Sequence, residues 1–161
     1  MQSYRVLGFI IAAILILNIN AQDCSNCNFY QCYENKMHCG PEGYLIGYGK
    51  KYCSRFDTTL RLFDSAGKKW VSCVRKCLIN FLKPSYNSYP NGSFKNNCDA
   101  LEEAAFNSHV NCYVKCGFCD ICKTNKWALY STYQWNDFFS AIAWKQVKDT
   151  MNKCGGFFSC F

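Results

Sequence analysis

Two short cysteine-bearing stretches constrain this chain more than any other feature: Cys73-Val74-Arg75-Lys76-Cys77 and Cys112-Tyr113-Val114-Lys115-Cys116. In each, the cysteines stand four residues apart, which puts both sulfurs on one helix face, one turn apart. Both stretches lie in segments that read as amphipathic helices. Two such helices can be cross-linked twice. If they run antiparallel, Cys77 meets Cys112 and Cys73 meets Cys116. If they run parallel, Cys73 meets Cys112 and Cys77 meets Cys116. Spacing alone leaves both arrangements open.

The thiols are expected to oxidise, because residues 1–21 read as a secretory signal peptide that is removed. Arg5 gives a positive flank, Val6 to Leu17 is an apolar run, and Ala21 is a small residue at a cleavage point. That run is too short to span a bilayer of roughly 30 Å as a helix. No later stretch is long and apolar enough to do so, so no stable membrane insertion is expected. All 14 cysteines follow the cleavage point. A density of about 10 % marks a disulfide scaffold in a secreted chain. Pairing is then the default fate of these thiols, ahead of metal binding or redox chemistry. Residues 22–161 are expected to form one disulfide-stabilised extracellular domain.

The formal charge of +7 falls to +6 once Arg5 is removed. It is dispersed along the chain, from Lys50, Lys51 and Arg55 to Lys145, Lys148 and Lys153, and reads as solvated helix faces. Without a recognisable binding module, nucleic acid is excluded as a partner.

Taken in order, Cys24, Cys27, Cys32 and Cys39 form a dense N-terminal knot closed by Gly40-Pro41. Tyr44, Tyr48, Tyr52, Phe56, Leu60 and Phe63 recur mostly every four residues, one helix face. Gly47 and Gly49 weaken the start of that helix and permit close approach of another backbone. Asp64-Ser65 signals a second helix, with Trp70, Val74, Cys77, Leu78 and Phe81 as its apolar stripe. Lys83-Pro84 is expected to end it, leaving Pro84 to Asn97 as an exposed loop. That loop holds the sequon Asn91-Gly92-Ser93, which makes Asn91 the candidate glycosylation site.

A third helix is expected to be capped by Asn97 or Asp99, with Glu102 and Glu103 in its first turn and Leu101, Ala104, Ala105 and Cys112 on its apolar face. A fourth runs from about Trp135 to Lys153, with Phe138, Phe139, Ile142, Val147 and Met151 at its apolar positions. The expected fold is all-α: a disulfide-rich domain of about four helices.

Chemistry-bearing motifs are thin. The CxxC spacings at Cys24–Cys27, Cys116–Cys119 and Cys119–Cys122 lack the βαβ context of a redox couple. Lys126 stands where the next ligand of a ferredoxin-like cluster belongs. His38 and His109 are the two histidines, and neither is followed by Asp, so the His-Asp dyad of secreted phospholipases A2 is absent. Asp99, Glu102 and Glu103 lack the spacing of a calcium loop and read as capping residues. The aromatic residues fall mostly on helix stripes and read as core. No catalytic residue, cofactor or metal is expected.

The cysteine framework and its flanks resemble the stanniocalcins, a family of secreted helical glycoproteins. Cys27 to Cys32 is followed by Tyr33-Glu34-Asn35, where the family typically has Leu-Glu-Asn. Phe56-Asp57 to Phe63, Gly67-Lys68, Val71 before Cys77-Leu78-Ile79, and Glu102-Glu103 before Cys112-Tyr113 follow the family pattern, as does Cys119. The resemblance implies bridges Cys24–Cys32, Cys27–Cys53, Cys39–Cys98, Cys77–Cys112 and Cys119–Cys154. Cys77–Cys112 is a rung of the antiparallel arrangement. With it in place, geometry gives Cys73–Cys116 as the second rung, and elimination leaves Cys122–Cys160.

The resemblance further implies a signalling or regulatory role in calcium and phosphate handling, exercised by binding a receptor or, in some members, by inhibiting a secreted pappalysin-type metalloproteinase. The alternative is a basic, cysteine-rich structural or defence protein acting on surfaces or membranes. Two departures stand out. The family commonly carries a sequon at the position of Asn35, but Asn35-Lys36-Met37 is not one. Family members also use a tail cysteine to join two chains, whereas here only Cys160 follows Cys154 and 14 thiols pair evenly within one chain. A monomer or non-covalent homodimer is therefore expected.

Overall fold

The double CxxxC pattern resolves into an antiparallel helix pair. The structure, a computed structural model, describes residues 22–134 and 140–160. The signal-peptide reading of residues 1–21 lies outside these, as do Trp135, Phe138 and Phe139. Helix α1 spans Asn28–Met37, and a π-helical segment, Tyr44–Lys50, runs directly into α2, Lys51–Thr59. Then come α3, Ser65–Asn87; α4, Cys98–Lys115; α5, Phe118–Thr124; α6, Lys126–Thr132; and α7, Ala141–Lys153. Short 3-10 turns occupy Leu60–Leu62 and Phe157–Ser159. The described residues thus form seven α-helices and no strand, an all-α disulfide-rich fold with more helices than the sequence led one to expect.

Helix α3 starts where Asp64 signals it: the Asp64 carboxylate accepts from the Gly67 N–H at 2.7 Å. Serving this cap holds the carboxyl below the usual range. Pro84 does not end the helix, which continues to Asn87. Proline removes one intrahelical donor, but tertiary contacts outweigh that loss. Leu82 is fully buried, Ser85 accepts from the Tyr33 hydroxyl at 2.8 Å, and the Tyr86 ring meets Phe29 and Tyr33 edge-on. The buried stripe runs Trp70, Val74, Leu78, Leu82; Phe81, expected within it, faces solvent.

Helix α4 is capped by Asn97, whose side chain accepts from the Ala100 N–H at 2.9 Å. The acid in its first turn is Asp99; Glu102 and Glu103 fall one turn later. Its amphipathic signal is weak for a physical reason. It packs against α3, α7, α5 and the π-helical segment, so Leu101, Ala105, Phe106, His109, Cys112 and Tyr113 are all buried. Helix α7 begins at Ala141 rather than near Trp135, because Ser140 is extended and its hydroxyl accepts from the Ala143 N–H.

The four-residue tyrosine spacing belongs to the π-helical segment and α2. Gly49 there is a close-approach point, though to a side chain rather than a backbone. A Cβ on it would stand 2.6 Å from two ring carbons of buried Tyr30. Gly49→Ala is therefore expected to cost about 1–3 kcal/mol, measured by urea denaturation. An unchanged midpoint would show that the Tyr30 ring moves freely.

Candidate functional site

All 14 cysteines are paired. Two bridges form the ladder, Cys73–Cys116 and Cys77–Cys112, each with Cα atoms 5.7 Å apart. Cys24–Cys32 ties the preceding segment to the middle of α1, and Cys27–Cys53 and Cys39–Cys98 fasten the two ends of α1 to α2 and α4. Cys119–Cys154 and Cys122–Cys160 tie α5 to the chain's end. These are the seven pairs that spacing and resemblance imply, the antiparallel ladder among them. The three cysteines of the Cys116, Cys119, Cys122 run go to three different partners, which leaves no dithiol for redox cycling or metal binding.

Reaching Cys122 requires the chain to double back after α7. Gly155 and Gly156 make that turn with φ of 87° and 93°, left-handed backbone that side chains disfavour. The turn brings Phe157–Ser159 alongside α7 and buries Cys160.

The two histidines have unrelated settings. His38 is the exposed, left-handed C-cap of α1. His109 is buried inside a ring of aromatic side chains: Tyr44, Tyr48, Phe106 and Tyr113. Its Nδ1 lies 3.1 Å from Gln146 Oε1 and its Nε2 lies 2.9 Å from the Tyr44 hydroxyl. A carboxamide oxygen only accepts, so Nδ1 carries the proton and the Tyr44 hydroxyl donates to Nε2. Burial pushes the imidazole down to about 4. It likewise pushes the Tyr44 and Tyr113 hydroxyls up. This network is neutral and satisfied. It connects the π-helical segment, α4 and α7, and reads as a structural strut.

Most described aromatic residues are buried or half-buried, as expected, but a few are exposed. Trp127 is 69 % exposed and Phe158 is 93 % exposed, while Tyr130, Trp144 and Phe157 are each more than half exposed. All five lie on α6, α7 and the C-terminal turn. Trp127 and Tyr130 stack on each other with ring centroids 5.5 Å apart. Between these elements runs a cleft of about 480 Å³, floored by Phe118, Leu129, Val147 and Met151. A contiguous exposed aromatic face marks an interaction site more often than a random surface does.

Sequence reasoning missed this face because it missed α6. Seven residues are too few to show a period. The helix is held from outside, where Arg55 Nε and Nη2 donate to the carbonyls of Thr132 and Ser131 and the Thr59 and Thr132 hydroxyls bond at 2.7 Å. The i, i+3 spacing of Trp127 and Tyr130 was the available signal. Among the candidate site residues, Asn91 lies exposed on the turn after α3, as an acceptor for a glycan requires. Among the described residues, no group of His, Cys, Asp or Glu is arranged to hold a metal ion, and no helix is long and apolar enough to cross a membrane.

Comparison with known proteins places this architecture. The stanniocalcin family model matches residues 12–157. Mouse stanniocalcin-2 is 23 % identical over 137 residues, covering 85 % of this chain and 42 % of that protein. Stanniocalcin-2 of Macaca nemestrina is 24 % identical over 137 residues, covering 85 % and 41 % respectively. The chain thus spans about two fifths of the length of the curated relatives it matches. No solved structure matches it.

Proposed function

Because the chain belongs to the stanniocalcin family, we propose that it is a secreted, hormone-like regulatory protein of calcium and phosphate handling that works by binding another protein, a receptor or a secreted protease. On this reading residues 1–21 are removed, residues 22–161 act as one domain, and Asn91 carries the glycan that Asn35 lacks. The chain acts as a monomer or a non-covalent dimer.

The observation that carries the reading is the exposed aromatic face on α6, α7 and the C-terminal turn. Tryptophan and tyrosine supply large contact areas at small entropic cost and dominate binding energy at interfaces. Two disulfides fix the end of α7 and the C-terminal turn, and Arg55 and Thr59 hold the end of α6, so little ordering remains to oppose association.

The test uses the secreted chain, with its intact mass reporting signal removal, seven bridges and any glycan. Added to a pappalysin-type metalloproteinase, it is expected to slow substrate cleavage. Trp127→Ala with Tyr130→Ala should weaken that inhibition at least about 30-fold, as hot-spot residues do. Undiminished cleavage, together with no change in calcium or phosphate uptake by epithelial cells, would overturn the proposal. Liposome leakage would favour instead a surface-acting defence protein.

A further inference from the structure

We infer that the outer side of the cross-linked α3–α4 pair is a docking surface for a linear sulfated polysaccharide. This goes beyond the protein-binding reading and draws on the proposed secretion only to choose among polyanions. Charge and shape, rather than a pocket, recognise this partner.

Lysines scattered in the sequence are aligned by the fold. Lys69, Lys76 and Lys83 stand seven residues apart along α3, so they share one side of the helix, drifting by only about 20° per step. At a rise of about 1.5 Å per residue, neighbours in this row are roughly 10 Å apart. All three are exposed and lie opposite the buried stripe of Trp70, Val74 and Leu78. Ser72 and Asn80 are exposed between them and add neutral hydrogen-bond donors. Lys115 extends the row onto α4. It is exposed beside Cys116, whose partner Cys73 falls between Lys69 and Lys76.

Carboxylates are kept off this side. Helix α3 contains no Asp or Glu. Asp64 caps its start, and Asp57 pairs with Arg75, which stands about 100° round the helix from Lys76. Counted from the Cys77–Cys112 rung, Lys83 comes level with Phe106, so Asp99, Glu102 and Glu103 lie past the end of the row. Asp120 follows the turn at Gly117, on α5. Among the described residues none of the four lysine ammonium groups has an ion-pair partner. The potential along the ridge is therefore positive and draws polyanions to it.

Such a row fits a linear polyanion better than a bilayer. Phe81 is the one exposed aromatic residue of α3, whereas a membrane-docking helix buries a whole apolar face in lipid. Sulfate esters remain charged at neutral pH and accept hydrogen bonds, as ammonium groups require. The two rungs hold the helices rigid, so the row needs no ordering on binding.

The experiment follows binding of the disulfide-intact chain to heparin oligosaccharides by calorimetry, between about 50 and 200 mM salt. Affinity is expected to fall with salt at a log–log slope near about −3, as four ion contacts on a single-stranded polyanion predict. Lys76→Ala with Lys83→Ala should weaken binding roughly 30-fold and flatten the slope by about 1.5. The control Lys148→Ala with Lys153→Ala removes equal charge from α7 and should change affinity by less than about twofold. Hyaluronan, which carries carboxylates but no sulfate, should bind more weakly than heparin.

Absence of salt-sensitive heparin binding would overturn the proposal. Equal losses in the two double variants would do the same, because net charge rather than this row would then hold the chain. Tighter binding to phosphatidylserine vesicles or to single-stranded DNA than to heparin would instead assign the row to a membrane or to nucleic acid.

Discussion

Replacing all four ladder cysteines by alanine is expected to cost about 6–7 kcal/mol, against about 3 kcal/mol for either rung alone. The difference follows from connectivity. With one rung intact, α3 and α4 are already joined, and the other closes a ring of only about ten residues. When both are lost, the loops of 35 and 43 residues open as well. Loop closure on that scale is worth nearly 4 kcal/mol in the chain-entropy account, in addition to the roughly 3 kcal/mol of the small ring. Domains of this size are typically stable by about 5–15 kcal/mol, so the quadruple variant loses between roughly two fifths and all of its folding stability. Guanidinium denaturation of the two double variants and the quadruple variant, under non-reducing conditions, measures the three losses. Two rungs that each cost as much as both together would mean that the helices separate once either is cut. Negligible losses throughout would mean that packing of Trp70, Val74 and Tyr113 holds the pair without covalent help.

The ladder was legible in the sequence because a four-residue cysteine spacing is a direct statement about a helix face, and the family framework chose the antiparallel register. The helix start at Asp64 and the cap at Asn97 were legible for the same reason: local chemistry decides them. What resisted was decided at long range. Pro84 carries a local signal to stop, overridden by Ser85 and Tyr86 packing on Tyr33 and Phe29, some fifty residues earlier in the chain. Helix α1 was hidden within the N-terminal knot. Disulfides from Cys27 and Cys39 to Cys53 and Cys98 hold its ends, and its buried face of Phe29, Tyr30 and Tyr33 spans too few residues for a clear period. The candidate site lay beyond sequence reasoning because exposure is a tertiary property. Nothing in the order of residues distinguishes Trp70, fully buried, from Trp127, largely in water. Phe81 and Leu82 are adjacent, yet one faces solvent and the other the core.

His109 makes the stability of the domain depend on pH in a direction the structure fixes. In the unfolded chain its imidazole titrates near 6.5; in the folded chain burial holds it down to about 4. Between those values the unfolded state binds the proton and the folded state resists it, so acid favours unfolding. The His109 contribution is fully present above about pH 6.5 and is lost progressively as pH falls to about 4, a loss of about 3 kcal/mol. Geometry explains why the proton is refused. Nδ1 already donates to Gln146, Nε2 already accepts from Tyr44, and the surrounding rings bring no negative charge to stabilise an imidazolium. Protonating Nε2 forces the Tyr44 hydroxyl to turn away within a buried site. Carboxylates titrate over the same range, so the wild-type chain must be compared with His109→Gln. At neutral pH the variant should be less stable by about 1–3 kcal/mol, because glutamine cannot span both partners. Urea denaturation at falling pH should then show the two stability curves converging and meeting near pH 4, because only the wild type has the buried imidazole to charge. Parallel curves would mean that the folded state accepts the proton as readily as water does. The strut between the π-helical segment, α4 and α7 would then have to be open to solvent on the timescale of titration.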